Sequence, residues 1–167
     1  MLAYYRMASS PVLIANLLSE AQICVGLTGT TKAEVLAALL GILTDHPDVA
    51  DAEAMQAAVL AREAMMSTGV GKGLALPHAK TEAVRETVAA FAITAEPIAY
   101  DAIDGAPVEL LFLLVGPETV KTQHIRILSR VSRLLNRDAF RAEVLAASDA
   151  ATVHRLLMKA ELDLLAH

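Results

Sequence analysis

The chain has 167 residues, 55% of them hydrophobic, and its 14 Lys and Arg against 19 Asp and Glu leave a formal net charge of −5. That length suits one domain with a real core, and the acidic balance, without any dense Lys/Arg cluster, argues against nucleic acid as a partner. Three Tyr, three Phe and no Trp supply little for stacking on bases or sugars, and the single Cys24 excludes an internal disulfide framework.

Near the N-terminus, Val12-Leu13-Ile14 is soon interrupted by Asn16 and Ser19. The run is too short to span a bilayer and lacks a secretory pattern, so a soluble, cytoplasmic chain without direct membrane insertion is expected. Ile23–Leu27 reads as a strand and makes Cys24 a small core residue rather than a reactive thiol. Thr31–Thr44 reads as a helix, capped by Thr30 or Thr31 with Glu34 three or four residues on. Asp45-His46-Pro47 closes it in a turn. A second helix covers Ala52–Met66 behind an Asp51 cap.

Ser67-Thr68-Gly69-Val70-Gly71-Lys72-Gly73 then forms a glycine-loosened loop into Leu74-Ala75-Leu76, a short buried strand. Pro77 fixes its own φ and pushes Leu76 toward extended geometry, presenting His78 at a strand's end. His78 is either a turn histidine bonded to backbone or an imidazole that a partner can reach; the loop alone does not decide between them.

Val88–Thr94 is a third strand. Ile98–Ile103 is a fourth, joined through Asp104-Gly105, a hairpin dipeptide, to the strongly apolar Val108–Val115. The C-terminal third is helical over Val120–Asn136, Asp138–Ala147 and Ala150–Leu165. The expected fold is α/β: a single domain over residues 1–167, a sandwich with a mixed sheet of about five strands flanked by helices on both faces.

Two helices carry a polar residue where the pattern asks for an apolar one. Met55, Val59, Arg62 and Met66 fall at i, i+4, i+7 and i+11, and share one face. Arg62 there is either a snorkelling arginine or a guanidinium aimed across the adjacent loop. His124, Leu128, Val131 and Leu135 repeat the spacing, with His124 in the first turn of its helix. It is either a satisfied core histidine or a neutral donor beside backbone N–H groups that favour an anion.

Together the three residues suit one chemistry. An imidazole is a fair nucleophile near neutral pH, a guanidinium fork matches phosphate oxygens, and a helix start adds donors. Phosphoryl transfer needs mainly positioning and charge stabilisation, so a phosphohistidine intermediate is the chemistry they fit best. His46, His154 and His167 have the settings of solvated or structural residues. No His/Cys spacing supports a metal site, and the glycine spacing fits neither a P-loop nor a dinucleotide fingerprint.

Arg62-Glu63-Ala64, Ser67-Thr68-Gly69-Val70-Gly71 and Ala75-Leu76-Pro77-His78-Ala79-Lys80 resemble the enzyme IIA domain of the bacterial phosphotransferase system, in its fructose/mannitol class, which includes the nitrogen-regulatory branch. Asp101-Ala102-Ile103-Asp104-Gly105 with Val108–Val115 looks like that family's central hairpin, and His124-Ile125-x-x-Leu128-Ser129-x-x-Ser132-x-Leu134-Leu135 is similar to its second histidine segment. The resemblance runs from about residue 12 to residue 160.

The resemblance implies a phosphocarrier that needs no cofactor or metal. His78 matches the phosphorylated histidine, which takes the group from the small carrier protein HPr and passes it to a IIB domain. His124 matches the second active-site histidine and Arg62 the arginine near the phosphate. Ser67, Thr68 and Gly69 are the candidate phosphate-binding stretch. Met66 stands where glycine is frequent and Leu76 where isoleucine is common, and neither change removes a chemical group.

The chain is expected to stand without fused IIB and IIC domains, which leaves two roles open: sugar uptake, or a regulatory module whose phosphorylation state controls its protein partners. A small hydrolase using His78 and a carboxylate finds no nucleophile elbow to support it.

Overall fold

The computed structural model describes residues 11–167, so the first ten residues of the expected domain lie outside it. After a short helix α1 (Ile14–Leu17) and one 3₁₀ turn (Glu20–Gln22), strand β1 covers Ile23–Leu27 as expected. Helices α2 (Lys32–Leu43) and α3 (Ala52–Met65) follow. Thr31 accepts from Glu34 N at 3.2 Å and Asp51 from Ala54 N at 3.0 Å, so both caps act as their residue types predict. Strands β2 (Gly69–Gly71), β3 (Leu74–Ala75), β4 (His78–Lys80), β5 (Val88–Ile98) and β6 (Val108–Gly116) complete the sheet. Helices α4 (Lys121–Leu135), α5 (Asp138–Leu145) and α6 (Ala150–Leu165) close the chain.

The six strands form one mixed sheet in the order β1-β5-β6-β3-β2, with β4 also paired to β6. β5 and β6 are antiparallel, while β1 runs parallel to β5 and both β3 and β4 run parallel to β6. β6 is apolar at almost every position because it is buried on both faces. Leu111, Leu113 and Val115 face α2 and α3 in one core, and Leu110, Phe112 and Leu114 face α4 and α6 in the other. Helices therefore cover both faces, and the expected sandwich is the fold found. No helix among the described residues is long and apolar enough to cross a membrane.

Three expectations need correction. The strand predicted over Ile98–Ile103 does not form: β5 continues to Ile98, which pairs with Val108, and the chain then leaves the sheet. Tyr100 turns inward to 1% exposure and Asp101 takes φ +58°, which breaks extended geometry. Asp104-Gly105 consequently lies inside a longer connection rather than in a two-residue hairpin. There the Asp104 carboxylate accepts from Lys72 N at 2.9 Å and Ala106 N at 3.1 Å.

The glycine segment is itself structured, since β2 and β3 pair antiparallel around Lys72-Gly73. Gly69 is needed for close approach: a Cβ there would sit 2.8 Å from Cα of Ala102. With β2 and β4 the sheet has six strands, in keeping with the expected mixed sheet of about five.

A buried carboxylate fastens the N-terminal end. Glu161 on α6, fully buried, accepts from Ile14 N at 2.8 Å and pairs with Arg130 of α4 at 2.9 Å.

Candidate active site

His78 opens β4, held by the parallel register that pairs it with Leu114 of β6. Pro77, with no N–H of its own, still accepts from Leu114 N at 3.1 Å, which seats the turn entering the strand. The His78 ring is half-buried, and its Nδ1 lies 2.7 Å from the carbonyl of Leu76. A carbonyl only accepts, so Nδ1 carries the hydrogen and Nε2 keeps its lone pair. One nitrogen of His78 is thus bonded to backbone, as the first alternative has it, and the ring borders an open cleft.

Burial is the main force on the His78 ring and lowers its proton affinity below the usual histidine value. The Leu76 bond opposes that shift, and the nearby charges of Arg62 and Lys80 reinforce it. The ring is accordingly neutral at pH 7.

His124 stands in the first turn of α4, 3% exposed, with its ring centroid 5.5 Å from that of His78. Burial first, then His78 and Lys80, pull its pKa down to about 4, so it too is neutral. Neither of its ring nitrogens has a hydrogen-bond partner among the described residues. Buried polar atoms are rarely left unpaired, and a group that adds oxygen atoms between the rings would satisfy them. No side chain among the described residues caps α4, which follows directly on a 3₁₀ turn over Glu118–Val120.

Arg62 lies near the end of α3, and its Nη1 donates to the Met66 carbonyl at 2.9 Å. It borders a cleft of about 630 Å³ that runs between α3 and the start of α4, lined also by Met65, His78, Lys80, Glu118 and Lys121. The cleft thus gathers Arg62, Lys80 and Lys121 against one carboxylate, Glu118, a net positive lining that favours an anion. A larger groove of about 790 Å³ beside α4 includes neither His78 nor His124.

Ser67, Thr68 and Gly69 are engaged elsewhere. Ser67 Oγ donates to the Tyr100 carbonyl at 3.1 Å and accepts from Gly69 N at 3.2 Å. Thr68 is buried and donates its hydroxyl to Glu63, and Gly69 packs on Ala102. None of the three lines the cleft, so they build the loop's support behind it.

The face assigned to α3 also needs adjustment. Met66 ends the helix and is 70% exposed, and the buried position beyond Val59 is Glu63. Its spacing of i+4 from Val59 and i+8 from Met55 was the available signal. Glu63 Oε1 accepts from Lys32 Nζ at 2.8 Å and Thr68 N at 3.0 Å. Burial pushes this carboxyl up, but bonds from Lys32 and Thr68 outweigh that and hold it below its ordinary value.

Of the other histidines, His46 Nδ1 accepts from Asp48 N within its turn, and His154 Nε2 meets the Ala15 carbonyl at 2.9 Å. Cys24 is half-buried against the core, and burial raises its thiol pKa, which leaves it a poor thiolate. Among the described residues there is no group of three or more His, Cys, Asp or Glu side chains able to hold a metal ion.

Comparison with known proteins identifies the family. Residues 16–160 match the family described as "Phosphoenolpyruvate-dependent sugar phosphotransferase system, EIIA 2". The chain is 40% identical over 127 residues to the "PTS system fructose-specific EIIA component" of Haloferax volcanii, covering 76% of this chain and 82% of that protein. It is 28% identical over 145 residues to the "Nitrogen regulatory protein" of Pseudomonas aeruginosa, covering 87% of this chain and 94% of that one. Among solved structures, nitrogen regulatory protein IIA-Ntr from Neisseria meningitidis superposes with a TM-score of 0.81 at 28% identity, over 86% of this chain and 98% of that chain.

Proposed function

We propose that this chain, which belongs to the EIIA 2 family of the phosphoenolpyruvate-dependent sugar phosphotransferase system, carries a phosphoryl group on Nε2 of His78. One observation carries the assignment. The bond from Nδ1 to the Leu76 carbonyl leaves Nε2 unprotonated at a cleft bordered by Arg62, Lys80 and Lys121.

In the transfer, the Nε2 lone pair attacks phosphorus and an N–P bond forms. The donor's bond to phosphorus breaks, and its electron pair stays on the donor. The Nδ1 proton remains directed at Leu76, so no base is needed to remove it. Arg62 and the cleft lysines balance the charge on the phosphoryl oxygens, and neutral His124 donates to one of them without competing as an ion. His124 holds the group; His78 alone bonds to it.

The small carrier protein HPr is the proposed donor, and a IIB domain the proposed acceptor, in the cytoplasm. Incubation with phosphorylated HPr is expected to give an acid-labile phosphate on His78, seen at Nε2 by nitrogen NMR. Failure with several competent HPr proteins would overturn the reading.

A second reading draws on the P. aeruginosa and N. meningitidis proteins, both named as nitrogen regulatory. In it the phosphate on His78 switches contact with regulatory proteins instead of moving on to sugar. Affinity capture comparing wild type with His78→Ala and His78→Asp separates the two. Partners retained by only one charge state at position 78 support regulation, and phosphate passed on to a IIB domain supports transport.

A further inference from the structure

Arg62 and Glu63 are neighbours on α3, and both bond across the short turn that leaves the helix. Arg62 Nη1 donates to the carbonyl of Met66 at 2.9 Å, at the near end of the turn. The Glu63 carboxylate, 7% exposed, takes the backbone N–H and the hydroxyl of Thr68 at the far end. Since the one Thr68 hydroxyl hydrogen goes to Glu63, Tyr100 OH donates to Thr68 Oγ1 at 3.3 Å.

Lys32 of α2 completes the cluster. It pairs with Glu63 at 2.8 Å and lies 4.3 Å from the centre of the Tyr100 ring. One carboxylate thereby joins α2, α3, the start of β2 and the connection after β5. Burying a charge is costly unless donors gather around it, so a cluster this complete fixes the backbone it touches.

We propose that Glu63 is a positioning residue for phosphoryl transfer: by holding Thr68 and Lys32 it sets the turn whose Met66 carbonyl anchors the Arg62 guanidinium beside His78. The inference rests on the assignment of His78 as acceptor and of Arg62 as its charge partner. Glu63 touches no reacting atom, and its effect passes through Arg62. A misplacement of about 1 Å in such a group costs on the order of 10²-fold in rate.

The test uses the full chain and phosphoramidate, a small phosphoryl donor that needs no protein partner. The rate of acid-labile labelling at His78 is measured for wild type, Glu63→Gln, Arg62→Ala and the double variant. Glu63→Gln is expected to slow labelling about tenfold or more when Arg62 is present, and less than about twofold when it is absent. The Arg62 Nε–H signal in NMR should shift or broaden in Glu63→Gln. Thr68→Val, which keeps the Glu63 charge, should act in the same direction and serves if Glu63→Gln does not fold.

Equal slowing in both backgrounds, or an unslowed Glu63→Gln, overturns the proposal. Should wild type accept no phosphoryl group, the acceptor assignment fails by itself. The Arg62 signal then decides the positioning claim: a change in both variants sustains it, and an unchanged signal overturns it.

Discussion

The rings of His78 and His124 lie with centroids 5.5 Å apart and planes tilted by 58°, one on a strand and the other on a helix. The two rings are not bonded to each other: neither His124 ring nitrogen has a hydrogen-bond partner among the described residues. Arg62→Ala and His124→Ala are each expected to slow phosphorylation of His78 by about ten- to a hundredfold, and His78→Ala to abolish it. Timed transfer followed by acid quench measures this, and an undiminished rate in either supporting variant would remove that residue from the mechanism.

His124 also gives stability a pH dependence whose sign is set by burial. Above pH 6.5 the ring is neutral in folded and unfolded chains alike. As pH falls through 6.5 the unfolded chain gains a proton that the folded chain refuses until about pH 4, so stability is lost across that window. The full loss is on the order of 3 kcal/mol. Urea unfolding at pH 7.5 and pH 4.5 should show a larger drop for wild type than for His124→Gln; equal drops would contradict it.

The His78 tautomer is directly observable. With Nδ1–H given to Leu76, nitrogen NMR at pH 7 should show a protonated Nδ1 and a bare Nε2. The titration midpoint should fall below 6.5, chiefly because the ring is buried. A midpoint above 6.5, or the opposite tautomer, would count against Nε2 as the acceptor atom.

Gly69→Ala forces a methyl group against Cα and Cβ of Ala102, both at 2.8 Å. Overpacking against backbone is expected to cost about 1–3 kcal/mol in urea unfolding. The further change Ala102→Gly should recover only part of it, because Cα remains. Full recovery would place the strain in the side chain alone.

Glu161→Ala leaves Arg130 without its carboxylate partner and removes an acceptor from Ile14 N. The expected loss is about 3–5 kcal/mol, and replacing both partners with Met should cost less than the single change. A double variant weaker than Glu161→Ala would mean that the pair contributes chiefly through its other contacts.

Much of this arrangement was legible in residue order. Ile23–Leu27, the caps at Thr31 and Asp51, and the out-of-pattern Arg62 and His124 all stood in strong periodic or capping contexts. β2 escaped because Gly69-Val70-Gly71 has little strand propensity and is extended only by its pairing with β3. Ile98–Ile103 misled because its burial does alternate as in a strand, with Ile98, Tyr100 and Ala102 inward and Ile103 84% exposed, yet positive φ at Asp101 takes it off the sheet, where Tyr100 meets Thr68 and Lys32. Glu63 was hidden by extending the apolar stripe to Met66, beyond the end of the helix.

β6 is the strand on which both histidines depend. His78 is registered against its Leu114, and its last residue, Gly116, leads through one 3₁₀ turn into the helix bearing His124. The spacing of the pair is thus inherited from a ladder sealed inside the molecule, not from anything on its exterior. Surface residues around the cleft, such as Met65 at 83% exposure, lie outside that ladder. A scaffold organised in this way keeps its chemistry constant while its outer face is free to diversify toward different partners.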